Sequence, residues 1–173
     1  MGVMRRAIMA GVIAATSIAV PAQAQRCWNQ ASVEAAQVKE FEIMLMVATL
    51  RCQAKGLDLS GDYNGFIAAH RPALRAAGEE IVRELKVGST AAVAMKAYDK
   101  LGVVLANKYG NGVLGLECLD FQAIIAEAKS AATGKPQLVT LAQRAGMNPE
   151  LPGPRCTAPV AAAVAGTAVA GRP

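Results

Sequence analysis

The sequence contains a single histidine, His70, and none of the motifs that identify the common enzyme classes. One histidine excludes a metal cage built from several imidazoles and a catalytic relay that needs two histidines. The C-x-x-C-H haem attachment motif, the P-loop, the G-x-G-x-x-G turn and the G-x-S-x-G elbow are also absent. We therefore expect no catalytic residue, no metal site and no cofactor, and we predict that this protein is not an enzyme.

Aromatic residues are scarce, at 4% of the chain, whereas alanine, valine and leucine are abundant. Sheets are usually built from β-branched and aromatic side chains, and close-packed helices from small and unbranched ones. The composition therefore predicts an all-α protein.

A leader for export is predicted at residues 1–24. Arg5 and Arg6 precede an uncharged, mainly apolar run over residues 7–20, and the leader ends in the small-residue pattern Ala-Gln-Ala that signal peptidase accepts. The run is shorter than the ~20 apolar residues needed to span a bilayer. We expect cleavage after Ala24, a periplasmic or secreted protein, and no transmembrane segment once the leader is removed.

The charge balance is mildly basic. The chain has 18 Lys and Arg against 13 Asp and Glu, and loss of the two leader arginines leaves 16 against 13, a net charge of +3. These charges are dispersed along the sequence, whereas nucleic-acid binders usually cluster basic residues on one face or helix. We expect no nucleic-acid partner.

Apolar residues recur at helical spacing in two long N-terminal segments. Residues 32–54 predict a first helix with Ser32 as its N-cap, and residues 43–50 are apolar nearly all round, which is typical of a central helix. Residues 60–86 predict a second helix. Pro72 lies inside it, and we expect a kink or break there because proline removes a backbone donor.

Three shorter helices are predicted in the second half of the chain. The third follows the caps Ser89 and Thr90 and ends at Gly110. The fifth is short, opening at Pro136 and stopping at Gly146. Between them, the fourth helix carries an apolar stripe formed by Leu114, Cys118, Phe121, Ile125 and Ala128. The expected fold is an up-down bundle of four main helices plus a short fifth.

One domain is expected at residues 25–156, because its length suits a single hydrophobic core. Residues 157–173 are rich in alanine, valine and glycine and nearly free of charge. Such a composition is typical of a flexible, low-complexity tail.

Four cysteines in an exported chain predict two disulfides rather than a metal site. Cys27 and Cys52 lie at opposite ends of the first helix, ~30 Å or more apart, so they cannot pair with each other. In an up-down bundle, Cys52 and Cys118 lie at the same end. We predict the pairs Cys52–Cys118 and Cys27–Cys156.

A few side chains could carry chemistry. His70 could act as a general base, although its place at a predicted helix end favours a structural or capping role. Met44, Met46 and His70 could ligate a non-covalent haem or copper, but methionines at helical spacing are more typical of core packing. Trp28 could be an exposed anchor or could pack over the disulfide of its neighbour Cys27.

The polar groups that remain have ordinary interpretations. The carboxylate pairs Glu79 with Glu80 and Glu40 with Glu42 are expected on solvated helix faces. The polar cluster at residues 62–64 could line a site at one end of the bundle, and helix-start chemistry explains it at least as well.

The chain resembles a group of small exported helical proteins from alphaproteobacteria. The features that carry the resemblance are the leader, Cys27-Trp28-Asn29, Met44-Leu45-Met46-Val47-Ala48 with Arg51-Cys52, Asp62-Tyr63-Asn64 with Phe66, Tyr98-Asp99-Lys100, Leu105-Ala106-Asn107 before Tyr109, and Leu151-Pro152-Gly153 before Cys156. That group has no established activity, so the resemblance implies an exported, disulfide-closed helical fold and no specific chemistry.

Two functions follow as expectations. The first is an exported, non-enzymatic binding or envelope-associated protein that recognises a protein or envelope partner. The alternative is a carrier of a small ligand or non-covalent haem in the bundle interior.

Overall fold

The computed structural model describes residues 27–156, which form five α-helices. They are α1 (Gln30–Ala54), α2 (Ser60–Lys86), α3 (Ala91–Tyr109), α4 (Cys118–Ser130) and α5 (Lys135–Arg144). The expected all-α bundle of four main helices and a short fifth is confirmed for this part of the chain. The predicted leader and tail lie outside the described residues.

Helix α1 is the centre of the bundle, as its apolar pattern predicts, because it packs against each of the other four helices. Its start differs from the prediction. The N-cap is Asn29, whose side-chain oxygen accepts the amide hydrogen of Ser32 at 3.0 Å. Ser32 is instead buried, and its hydroxyl shares its one hydrogen between the carboxylates of Glu84 at 2.9 Å and Glu80 at 3.1 Å, which ties α1 to α2.

Helix α2 runs through Pro72 as one helix, so of the predicted kink or break the break is wrong. The missing N–H of Pro72 would have paired with the carbonyl of Ala68, one turn earlier. Both residues lie on the exposed side of the helix, where water can satisfy that carbonyl. The proline therefore leaves the buried face of α2 intact.

Helix α4 begins at Cys118, later than the sequence pattern indicates. Gly112 and Gly115 have φ angles of 92° and 80°, which a helix cannot contain, so Leu114 lies in a turn and is fully exposed. Glu117 and Asp120 form a reciprocal capping box that fixes the true start. The expected caps are found at Thr90 for α3 and Pro136 in the first turn of α5.

The core is formed by the helical stripes that the sequence predicts. Phe41 of α1 and Phe66 of α2 meet edge to face with ring centroids 6.2 Å apart, near the middle of the bundle. Around this pair are packed the buried side chains Val38, Leu45, Ile81, Leu105, Ile125 and Leu138, drawn from all five helices. None of the five helices is long and apolar enough to span a membrane.

Two disulfides close the bundle, one at each end. Cys52 and Cys118 are joined with their Cα atoms 5.6 Å apart, and Cys27 and Cys156 with theirs 4.8 Å apart. These are the pairs that the bundle topology predicts. Disulfides persist in oxidising compartments, so the structure is consistent with a protein that works outside the cytoplasm.

The two ends of the described chain are also joined through their backbones. The amide of Trp28 donates to the carbonyl of Pro154 at 2.8 Å, and the amide of Cys156 donates to the carbonyl of Trp28 at 2.9 Å. The Trp28 side chain is buried, with 4% of its surface exposed. It is therefore part of the core beside the Cys27–Cys156 disulfide and not an exposed anchor.

Candidate functional site

His70 is a structural residue in this arrangement. It lies in the interior of α2, not at a helix end as the sequence suggests, and its side chain is fully buried. Its Nε2 lies 2.8 Å from the carbonyl oxygen of Ala128 in α4, so this nitrogen carries the hydrogen. The ring also packs 5.3 Å from that of Phe66. His70 thus joins α2 to α4 and cannot be reached by a substrate.

The candidate haem ligands are not free. Met44 is buried in the core, Met46 packs against the core, and the Nε2 of His70 is held by a backbone carbonyl. Met44 lines a cavity of about 30 Å³ beside the Cys52–Cys118 disulfide, enough for about one water molecule, and a second cavity of about 370 Å³ beside Leu141 of α5. In the described residues no three His, Cys, Asp or Glu side chains are grouped to hold a metal ion.

Glu40 lies in the interior of the bundle, where its sequence pattern does not place it. It was expected on a solvated face, yet it is fully buried because α1 is surrounded by the other helices. Its Oε1 accepts the Tyr109 hydroxyl at 2.8 Å and the Lys108 ammonium at 2.5 Å. The Tyr109 hydroxyl also lies 3.5 Å from the Met147 sulfur. This cluster connects α1, α3 and the segment after α5.

The polar cluster at residues 62–64 is used at the start of α2. Asp62 lies in the first turn of the helix and accepts a hydrogen bond from the Lys129 ammonium of α4 at 3.0 Å. Gly65 leaves room for that lysine, since a Cβ there would lie 2.8 Å from the Lys129 Cε. Helix-start chemistry and an ion pair between helices account for this cluster.

Two of the three tyrosines have perturbed acidity. Burial, with the nearby Glu42 carboxylate, raises the pKa of Tyr63 to about 12, and burial with the Glu40 hydrogen bond raises the pKa of Tyr109 above its usual range. A raised pKa means that the folded state holds the proton more tightly than the unfolded chain, where tyrosine has a pKa of ~10. This contribution to stability is complete below that pH and is lost as the pH rises through the folded-state pKa.

We therefore expect the unfolding midpoint in urea to fall between about pH 9.5 and pH 12. A tyrosinate absorbance titration should show two groups that ionise well above ~10. Tyr63→Phe should reduce the dependence of the midpoint on pH in this range. Ionisation of all three tyrosines near pH ~10, with no change in the midpoint, would contradict these raised values.

An open groove runs along α2, and we call it the α2 groove. It has a volume of about 800 Å³ and lies between α2 and the flanking parts of α1 and α3. Its apolar floor comes from half-buried Ile67, Leu74 and Val82 of α2, together with Met95 and Tyr98 of α3. Pockets that bind small ligands have volumes of ~300–1,000 Å³, so the groove has the size of a binding site.

The rim of the α2 groove is mainly cationic. Ion pairs join Lys39 to Glu42 at 3.0 Å, Arg75 to Glu79 at 3.0 Å, and Arg83 to Glu80 just outside the groove. Neither Arg71 nor Lys86 makes an ion pair with another described residue. The charged lining residues comprise five cations and two carboxylates, namely Lys39, Arg71, Arg75, Arg83, Lys86, Glu42 and Glu79.

Sequence reasoning missed this groove because its cations look dispersed when read along the chain. On α2, however, residues 67, 71, 74, 75, 78, 79, 82, 83 and 86 line it at steps of one, three or four, the spacing of one helix face. The stripe of alternating apolar and basic residues was the available signal. The charges are dispersed along the sequence, but on this face of α2 several basic residues line one groove.

Lys39 of α1 lines the groove and contacts side chains of both α1 and α3. Its ammonium lies 5.7 Å from the centre of the Tyr98 ring and 3.0 Å from Glu42. Burial lowers the pKa of Lys39, but the Glu42 carboxylate and the Tyr98 side chain outweigh it and raise that pKa above its usual value. Lys39 therefore stays protonated at neutral pH and remains paired with Glu42 at the edge of the groove.

No protein-family model, curated protein or solved structure matches this chain.

Proposed function

We propose that this protein is an exported, non-enzymatic binding protein that takes an anionic partner in the α2 groove. The observation that carries the proposal is the excess of cations around an elongated apolar surface. Arg71 and Lys86 face solvent without a carboxylate partner among the described residues, so an anion bound there would gain charge interactions without breaking existing ones.

Two features support a binding role over catalysis, and a third supports export. The only histidine is buried and bonded to a backbone carbonyl, and the buried Glu40 is held by Tyr109 and Lys108. The two disulfides and the central α1 make a rigid frame for a preformed surface. The leader at residues 1–24 supports export to the periplasm or the exterior.

The proposal is tested by reversing the two unpaired charges of the groove. Arg71→Glu with Lys86→Glu should weaken binding of anionic probes by about tenfold or more at moderate salt. The probes are an acidic helical peptide, vesicles that contain phosphatidylglycerol, and a DNA duplex. Both side chains are exposed, so the variant should fold like the wild type, and circular dichroism checks this.

A matched control keeps the same change in net charge. Lys96→Glu with Lys100→Glu reverses two exposed lysines of α3 that do not line the groove. It should weaken binding by less than about twofold. The proposal fails if none of the three probes binds the wild type, or if the control weakens binding as much as the groove variant does.

A further inference from the structure

We infer that the anionic partner in the α2 groove is an amphipathic helix of another protein, with an apolar stripe between acidic residues. This inference rests on the proposed function and names the partner chemistry for the same surface. It is drawn from the length of the groove, the placement of its charges and the shape of its floor.

The length of the groove fits a helix. Its lining runs along α2 from Ile67 to Lys86, ~28 Å at the rise of an α-helix, and a partner helix of ~19 residues has that length. The apolar floor residues Ile67, Leu74 and Val82 follow one face of α2. Recognition of a helix in a groove uses such a row of apolar contacts at intervals of three, four or seven residues.

The positions of the cations in the groove fit a partner helix with acidic residues near its two ends. Arg71 lies towards one end of the lining and Lys86 at the other, ~22 Å apart along the helix axis. Carboxylates about four turns apart on a partner helix would meet both cations, with the apolar stripe between them. An uncharged or basic helix would leave Arg71 and Lys86 desolvated without partners.

Gly78 has no side chain, so it leaves space in the middle of the groove floor. A Cβ at this position would lie 2.9 Å from the Tyr98 hydroxyl, so a larger residue would push the Tyr98 side chain away from α2. Leu74 and Val82 lie one turn to either side. A partner side chain can therefore sit over Gly78 and Tyr98, between two apolar neighbours, as in the packing of one helix against another.

Other occupants fit less well. A bilayer surface is flat and cannot follow a groove between two helices, where Ile67, Leu74 and Val82 are half-buried. A second copy of the chain would bring two cationic grooves together, which charge repulsion opposes. Residues 157–173 contain no Asp or Glu and so lack the side-chain charge that the rim requires.

The test uses the disulfide-bonded protein and a helical peptide of ~19 residues. The peptide has leucines along one face and glutamates near both ends, about four turns apart. Its control has the same composition in an order that breaks the stripe. The striped peptide should bind about tenfold more tightly than the scrambled one and gain helical circular dichroism on binding. Equal affinity for the two peptides would overturn the inference, because it would show that charge alone determines binding.

Protein variants separate the apolar contribution from the charge. Val82→Asn changes a floor residue that is not packed on the core, and it should weaken the striped peptide about fivefold or more. Val103→Asn, on an exposed face of α3 outside the groove, should leave affinity unchanged. Equal losses for the two variants would overturn the inference.

The same titrations distinguish failure of the inference from failure of the proposed function. If the striped peptide does not bind but phosphatidylglycerol vesicles or duplex DNA bind and are weakened by Arg71→Glu with Lys86→Glu, the inference is wrong and the proposed function stands. If no probe binds, both are wrong.

Discussion

Replacing Cys27 and Cys156 together by serine is expected to lower the free energy of unfolding by about 5 kcal/mol. The bond joins residues 129 positions apart, so its loss releases nearly the whole described chain from a closed loop in the unfolded state. The native structure should persist locally, because Trp28 is buried and its backbone pairs with the segment that carries Cys156. Denaturation in urea or guanidinium, followed by circular dichroism, measures the change.

The second disulfide provides the matched comparison. Cys52 and Cys118 are 66 positions apart, so replacing both by serine should lower the free energy of unfolding by about 4 kcal/mol. Changing both cysteines of a pair avoids a free thiol that could form new bonds. A loss below about 1 kcal/mol in both double variants would show that the helical core alone sets the stability.

Lys108→Met is expected to lower the free energy of unfolding by about 2 to 3 kcal/mol. It leaves the buried Glu40 carboxylate without its counter-ion and with only the Tyr109 hydroxyl as donor. The Lys108 side chain is 44% exposed, so solvent screening places the effect at or below the lower end of the range for a broken buried ion pair. Urea denaturation at neutral pH measures the loss.

A double replacement shows whether the buried charge is the cause. Glu40→Leu with Lys108→Met removes both members of the pair and should recover most of the stability, because no unpaired charge remains in the interior. Lys100→Met, at an exposed lysine of the same helix, should change stability by less than about 0.5 kcal/mol. If Lys108→Met behaves like Lys100→Met, the Glu40 cluster does not stabilise the fold.

The helices were predictable because their core stripes are strong. Phe41 and Leu45 of α1, and Phe121 and Ile125 of α4, repeat at the spacing of one helix face and are all buried. Helix starts were less predictable, since Asn29 and Ser32 are both good caps and the choice depends on tertiary contacts. The Ser32 hydroxyl is hydrogen-bonded to Glu80 and Glu84 of α2, so Asn29 caps α1 instead.

The polar interior could not be predicted from one segment at a time. Glu40 has the sequence setting of a solvated residue, and only the position of α3 brings Lys108 and Tyr109 to it. The pattern of apolar and polar residues describes one face of one helix. Burial of Glu40 depends in addition on α3, which packs against α1. His70 is similar, because its partner is a carbonyl in α4 that no sequence pattern indicates.

The α2 groove could be predicted in part: less well than the helices, and better than the buried polar contacts. The spacing of Arg71, Arg75 and Arg83 beside Leu74 and Val82 was visible in the sequence as one helix face. The sequence does not show that this face of α2 stays open to solvent. The bundle packs α1, α3 and α4 against α2 and leaves this stripe as a groove.

The most direct test of the account is a nuclear magnetic resonance titration of the isotope-labelled, disulfide-bonded protein with the striped acidic peptide. We expect the amide shifts to change along the groove face of α2, from Ile67 to Lys86, and around Met95 and Tyr98, with little change near the exposed residues Leu114 and Leu119. The changes should be reduced strongly in the Arg71→Glu, Lys86→Glu variant. Shifts centred on α4 and the 110–117 turn, or none at all at saturating peptide, would contradict the assignment of the α2 groove as the binding site.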